Sequence, residues 1–157
     1  MNVKQTNPLV GILIGCGAVF GIGCLAMCGG VVWLASGPES GVKLSNNMDE
    51  YATKYLEENS ILNGSESLLA YYDVTLSMDG SEAAILTDER VIYHKNGNTT
   101  AIELKDIADI RDRDEGMIGH VIDIENRVGA PMTIEIAPWN GGPTFVSALR
   151  GAWEKTK

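Results

Sequence analysis

The residues from Leu9 to Ala35 run for 27 positions without a charged side chain, and no other feature limits this chain so tightly. At about 1.5 Å of rise per helical residue the run reaches roughly 40 Å, more than the roughly 30 Å hydrocarbon core of a bilayer. A tilted single transmembrane helix over 9–35, behind a short tail at 1–8, is the expected reading. Trp33 falls near the distal end, where an aromatic ring suits the interface, and Ser36, Gly37 and Pro38 stop the helix. The rest of the chain could not build an interior that covers an apolar cylinder of that length.

The same run contains a rival signal. Leu13-Ile14-Gly15-Cys16 reads like a bacterial lipobox, which would make Cys16 a lipidation site and the remainder an extracytoplasmic lipoprotein with a ligand-binding domain. Against this, the positive flank is the single Lys4, and cleavage before Cys16 would leave a long apolar stretch with no purpose. Cys28, near the end of the run, is a second candidate for acylation, while thiols inside a bilayer otherwise behave as small apolar groups. All three cysteines lie here, so they say nothing about disulfides in the rest of the chain. Gly11, Gly15, Gly17 and Gly21 stand in pairs at four-residue spacing and form a helix-packing face, which allows self-association or docking onto a larger membrane complex. Lys4 on one flank and Lys43 and Lys54 on the other leave the orientation nearly tied.

Charge separates the two parts of the molecule. The chain carries 12 Lys+Arg against 21 Asp+Glu, a formal charge of -9, and no acid precedes Glu39. The part beyond the apolar run therefore holds all the acids. It repels phosphate backbones and anionic lipid, which excludes nucleic acid as the main partner.

Residues 36–46 read as a Gly/Pro/Ser linker. Over 47–59, Met48, Tyr51, Ala52, Tyr55 and Leu56 follow the spacing of an amphipathic helix, with Asn47 and Glu50 as its capping signature. From residue 60 the period changes to two, and turn signals recur at Asn63-Gly64, Asp79-Gly80, Asn96-Gly97, Gly129-Ala130-Pro131 and Asn140-Gly141. A two-residue turn at Asn96-Gly97 would set Tyr93 opposite Thr100 and Val91 opposite Ile102, placing Val91, Tyr93, Ile102 and Leu104 on one face. The same geometry at Asp79-Gly80 would pair Leu76 with Ala83 and Val74 with Ile85. Seven strands are expected near 67–78, 81–87, 90–95, 99–104, 107–112, 118–126 and 131–137. Gly142-Pro143 then opens a last helix with Phe145, Val146, Leu149, Ala152 and Trp153 as its apolar stripe. The fold class is mainly β with flanking helices, the β domain spanning 60–157.

The run Ile85-Leu86-Thr87-Asp88-Glu89-Arg90-Val91-Ile92-Tyr93, followed by Ile102-Glu103-Leu104-Lys105-Asp106-Ile107, resembles bacterial pleckstrin-homology-like (PH-like) domains and the related GRAM domains. The likeness lies in a Leu-Thr-x-x-Arg corner and a Leu-x-Asp-Ile step, and it covers roughly residues 60–155. It implies a bent, seven-stranded antiparallel sandwich or barrel closed by the C-terminal helix. Phosphoinositide-binding members of that wider fold use Lys and Arg in and beside the first hairpin. Here the hairpin is Ser77-Met78-Asp79-Gly80-Ser81-Glu82, with two acids and no base, so inositide binding is not expected.

Chemistry-bearing clusters are few. Asp106, Asp109, Arg111, Asp112, Arg113, Asp114 and Glu115 lack calcium-loop spacing, because the twelfth position from Asp112 is Asp123 rather than Glu; they read as a solvated stretch of alternating charge. His94 and His120 have no Cys partner beyond the apolar run, so zinc would need converging acids. Arg90 is expected to pair locally with Asp88, Glu103 or a backbone carbonyl. No nucleophile elbow, phosphate loop or dinucleotide turn is present, and neither catalysis nor a cofactor or metal is expected. The sequence reads as a non-catalytic, membrane-tethered interaction or adaptor domain that offers a sheet edge or loop surface to a protein partner.

Overall fold

The structure, a computed structural model, describes residues 41–157. The expected membrane helix at 9–35, the lipidation candidates Cys16 and Cys28, and the glycine face of Gly11, Gly15, Gly17 and Gly21 lie outside the described residues. Among the described residues no helix is long and apolar enough to cross a membrane.

Among the described residues eight strands and two α-helices follow in the order β1 (Lys43–Leu44), α1 (Glu50–Glu58), β2 (Leu68–Asp73), β3 (Glu82–Thr87), β4 (Arg90–Lys95), β5 (Asn98–Glu103), β6 (Ile107–Asp114), β7 (His120–Asn126), β8 (Met132–Ile136) and α2 (Gly142–Glu154). Strands β1 to β5 form one antiparallel sheet in sequence order, and β6 to β8 form a second. No strand pairing joins the two sheets among the described residues, so the expected barrel is not closed. The chain leaves the first sheet through a 3-10 turn at Leu104–Asp106. There the buried side chains of Leu104 and Ile107 hold the crossing, and the backbone is tied by Leu104 N–H to Glu89 O (2.8 Å) and Arg127 N–H to Asp106 O (2.8 Å). That is the structural content of the Leu-x-Asp-Ile step.

Strand β1 was not anticipated. It occupies part of the expected linker, with Lys43 opposite Tyr71 and Leu44 opposite Ala70, and a 3-10 turn at Ser45–Asn47 leads toward α1. Helix α1 starts at Glu50 behind Asp49, and no side chain caps it; the expected Asn47–Glu50 capping pair does not form because Asn47 belongs to the preceding turn.

Strands β2, β3 and β4 are apolar on both faces, and their alternation divides the interior in two. Inward, Ala70, Tyr72, Ala84, Leu86 and Val91 join Ile122, Ile124, Ile134 and Ile136 of the second sheet and Phe145 and Leu149 of α2. Outward, Tyr71, Ala83, Ile85 and Ile92 receive Ala52 and Leu56 of α1. Helix α1 therefore roofs the outer face of the first sheet rather than merely preceding it. Phe145 and Leu149 are fully buried, whereas Trp153 is only partly buried at the edge of the cap, with Lys157 Nζ 3.6 Å from its ring centre.

The two hairpin registers had different outcomes. At Asn96-Gly97 the φ angles are +49° and +79°, as a type I′ turn requires, and Tyr93 faces Thr100 and Val91 faces Ile102. At the first hairpin Asp73 faces Ala83 and Tyr71 faces Ile85, so the Leu76–Ala83 and Val74–Ile85 pairs are wrong by three residues. Strand β2 ends at Asp73, whose carboxylate accepts hydrogen bonds from Thr75 N–H (2.8 Å), Thr75 Oγ1 (2.5 Å) and Gly80 N–H (2.8 Å) and so closes a wide loop instead of a tight turn.

Candidate functional site

The β3–β4 corner explains the Leu-Thr-x-x-Arg motif. Thr87 is fully buried, and its hydroxyl oxygen accepts from Arg90 N–H (2.9 Å) and Glu89 N–H (3.2 Å) while donating to Arg90 O (3.1 Å). Asp88 accepts from Ser67 N–H (2.8 Å). Arg90 does not pair with Asp88 or Glu103. Its Nε lies 2.6 Å from Glu66 Oε1, and its Nη2 donates to Glu66 Oε2 (3.2 Å) and to Ile61 O (3.1 Å). The Glu66 side chain is completely covered. The motif is an architectural clamp between the corner and the segment after α1.

The histidines stand apart. His94 is 2% exposed, with Nε2 3.1 Å from Tyr55 Oη and Nδ1 3.0 Å from Thr99 Oγ1, and burial holds its pKa below the ordinary value. His120 Nε2 lies 3.0 Å from Asp112 Oδ2, and Asp112 Oδ1 accepts from Arg150 Nη2 at 2.7 Å. The Arg150 bond is the main reason that the Asp112 carboxyl stays below its usual range. Among the described residues no group of three His, Cys, Asp or Glu side chains converges on a metal position. The charged stretch on β6 is cross-strand paired, Arg111 with Glu125 and Arg113 with Asp123. In the first hairpin loop, hydrogen bonds from Ser77 and Ser81 keep the Asp79 carboxyl far below the usual range, so the loop presents a fixed negative charge.

Two further accessible features lie elsewhere. One is a groove of ≈ 380 Å³ between the β6–β7 hairpin tip and the β8–α2 loop, lined among others by Met117, His120, Pro138, Trp139 and Gly142. Its walls are tightly built. A Cβ on Gly119 would lie 2.2 Å from Ile136 O, and one on Gly142 would lie 2.3 Å from His120 Cβ, so only glycine lets the two loops approach. The groove is rimmed by apolar side chains that the protein leaves in water: Trp139 at 101% exposure and Met117 at 97%, with Ile118 beside them on the hairpin at 56%. The sequence reading passed over all three, although an aromatic residue between Pro138 and Asn140-Gly141 in a turn has no core to enter and was a usable signal.

The other feature is the edge of the first sheet. Strand β5 pairs only with β4 among the described residues, and Asn98, Thr99, Thr100 and Ala101 are exposed. Neither Lys nor Pro stands in this stretch, and among the described residues no strand pairs with its outer side. By contrast, Arg150 Nη2 reaches the β6 carbonyl of Ile110 at 2.9 Å.

No protein-family model matches the chain, and no curated protein does. Among solved structures, a DUF1696 family protein with a pleckstrin-homology domain from Shewanella loihica superposes with a TM-score of 0.52 at 12% identity, over 73% of this chain and 99% of that one. At such identity the likeness carries the fold alone: two antiparallel sheets with a C-terminal helix, in a PH-like arrangement.

Proposed function

We propose that this chain is a membrane-tethered, non-catalytic interaction domain of GRAM-like kind that recruits a protein partner through the open edge of β5. The observation that carries the reading is that edge: a strand of the larger sheet, exposed from Asn98 to Ala101 and free of the charges and prolines that usually blunt such strands. Strand addition supplies main-chain hydrogen bonds for affinity and alternate side chains for selectivity. The PH-like scaffold supports the same reading, because such folds commonly work by presenting surfaces. The uncharged run at 9–35 supports the tether.

The test is site-specific photocrosslinking in native membranes from a photoreactive residue at Thr100, exposed on the same strand, followed by identification of the product. A stoichiometric partner that is lost on Ala101→Lys supports the proposal. Recovery of the protein alone, or of the same product after that substitution, removes the edge as the recruiting surface.

A further inference from the structure

We infer that the loop end bearing Trp139, Met117 and Ile118 seats on the surface of a zwitterionic bilayer, giving the domain a second membrane contact beside its tether. The inference rests on the tethered reading above and adds to it the face that meets lipid, which leaves the β5 edge for protein.

Three observations carry it. The first is exposure. Met117 and Trp139 border one groove from two loops and have essentially their whole surface in water, and Ile118 follows Met117 on the hairpin. Apolar groups gathered in this way need a covering phase. Indole, with an apolar body and one N–H donor, suits the boundary between headgroups and acyl chains.

The second is that the backbone holds Trp139 outward. Its φ is +63°, the left-handed region that side-chain-bearing residues seldom adopt. The turn is pinned by Tyr72 Oη, which accepts from Ala137 N–H (3.1 Å) and Asn140 Nδ2 (3.4 Å), and by Asn140 N–H donating to Ala137 O (3.1 Å). The hairpin tip is likewise self-satisfied: Glu115 N–H donates to Gly119 O (2.8 Å) and Gly116 N–H to Asp114 Oδ1 (2.8 Å). Both loops thus present their apolar residues on fixed backbone.

The third is where the chain enters the domain. Val42 N–H donates to Asn140 O at 2.8 Å, and a Cβ on Gly141 would touch the Val42 side chain at 3.3 Å. The polypeptide coming from the apolar run therefore joins the fold next to Trp139. A weak lipid contact in a chain that also carries a tether is an intramolecular event, favoured by effective concentration.

Charge selects the lipid. Glu115 is paired with Arg113, but Asp114 stands at the hairpin tip and the chain is acidic overall, so anionic headgroups repel this face while phosphatidylcholine does not.

The experiment uses the full chain in phosphatidylcholine vesicles, with Trp33→Phe and Trp153→Phe leaving Trp139 as the single indole. Quenching of Trp139 by lipids brominated near the headgroup, with blue-shifted emission, is expected. Both effects should weaken on Met117→Ser with Ile118→Ser, and also on adding phosphatidylserine, while co-flotation with vesicles persists in every case. Flotation with Trp139 unquenched and open to aqueous iodide overturns the inference and leaves the tether standing. Blue-shifted emission without bromolipid quenching shows that protein, a second copy included, covers the ring, and overturns it as well. Loss of flotation by the full chain removes the tethered reading and this inference together.

Discussion

Arg90→Ala isolates the clamp that joins the β3–β4 corner to the segment after α1. The guanidinium makes two bonds to Glu66, at 2.6 and 3.2 Å, and one to Ile61 O at 3.1 Å. The side chains are 16% and 0% exposed, so solvent screens the pair little. Truncating Arg90 leaves the Glu66 carboxylate covered, with Asn63 N–H and Nδ2 as its remaining donors. Removing one partner of a buried pair costs about 3–5 kcal/mol, and the partial exposure of Arg90 places this case near the lower end, at about 3 kcal/mol. Against a typical total of about 5–15 kcal/mol that is a large share. Urea titration of the full chain in detergent should show a lower midpoint at unchanged slope. Glu66→Gln combined with Arg90→Met should recover most of the loss, because no buried charge is then left alone. A loss below about 1 kcal/mol for Arg90→Ala, the value of an exposed pair, would falsify the clamp.

Phe145→Ala should cost roughly 3–5 kcal/mol, and Trp153→Ala distinctly less, because Phe145 is fully buried whereas Trp153 sits at the rim of the cap; equal losses by the same titration would contradict this packing. His94 should make stability pH-dependent. Burial depresses its folded-state pKa, so the unfolded chain binds the proton more readily, and stability is whole above the unfolded value of about 6.5 and declines as pH falls from there toward the folded value. His94→Leu should flatten that decline in unfolding midpoints measured from pH 7.5 to 5, and an unchanged slope would mean that another group titrates.

The second hairpin was readable because Asn96-Gly97 accepts two consecutive positive φ angles, and a two-residue turn leaves one register. The first was not. Strand β3 is apolar on both faces, with Ala83 and Ile85 under α1 and Ala84 and Leu86 in the main core, so alternation could not select the face that pairs with β2. The side chain that fixed the turn, Asp73, stands outside the Asp79-Gly80 signal. The stripe of α1 was legible as a stripe, but its landing place depends on the twin faces of β2 to β4. Arg90 had Asp88 and Glu103 nearer in sequence and register, and only the folded path of residues 59–67 brings Glu66 to it. For Trp139 the turn residues on either side signal exposure, whereas its positive φ and its place beside the β6–β7 hairpin exist only in the folded chain.

Alkaline carbonate extraction of native membranes tests the tethered account most directly. Carbonate strips peripheral contacts and leaves spanning helices in place, so the full chain should remain in the pellet. The chain lacking residues 1–37 should be released, even with the loop end of Trp139, Met117 and Ile118 intact. Release of the full chain by carbonate would contradict the account, because the 27-residue uncharged run would then not be holding the domain to the bilayer.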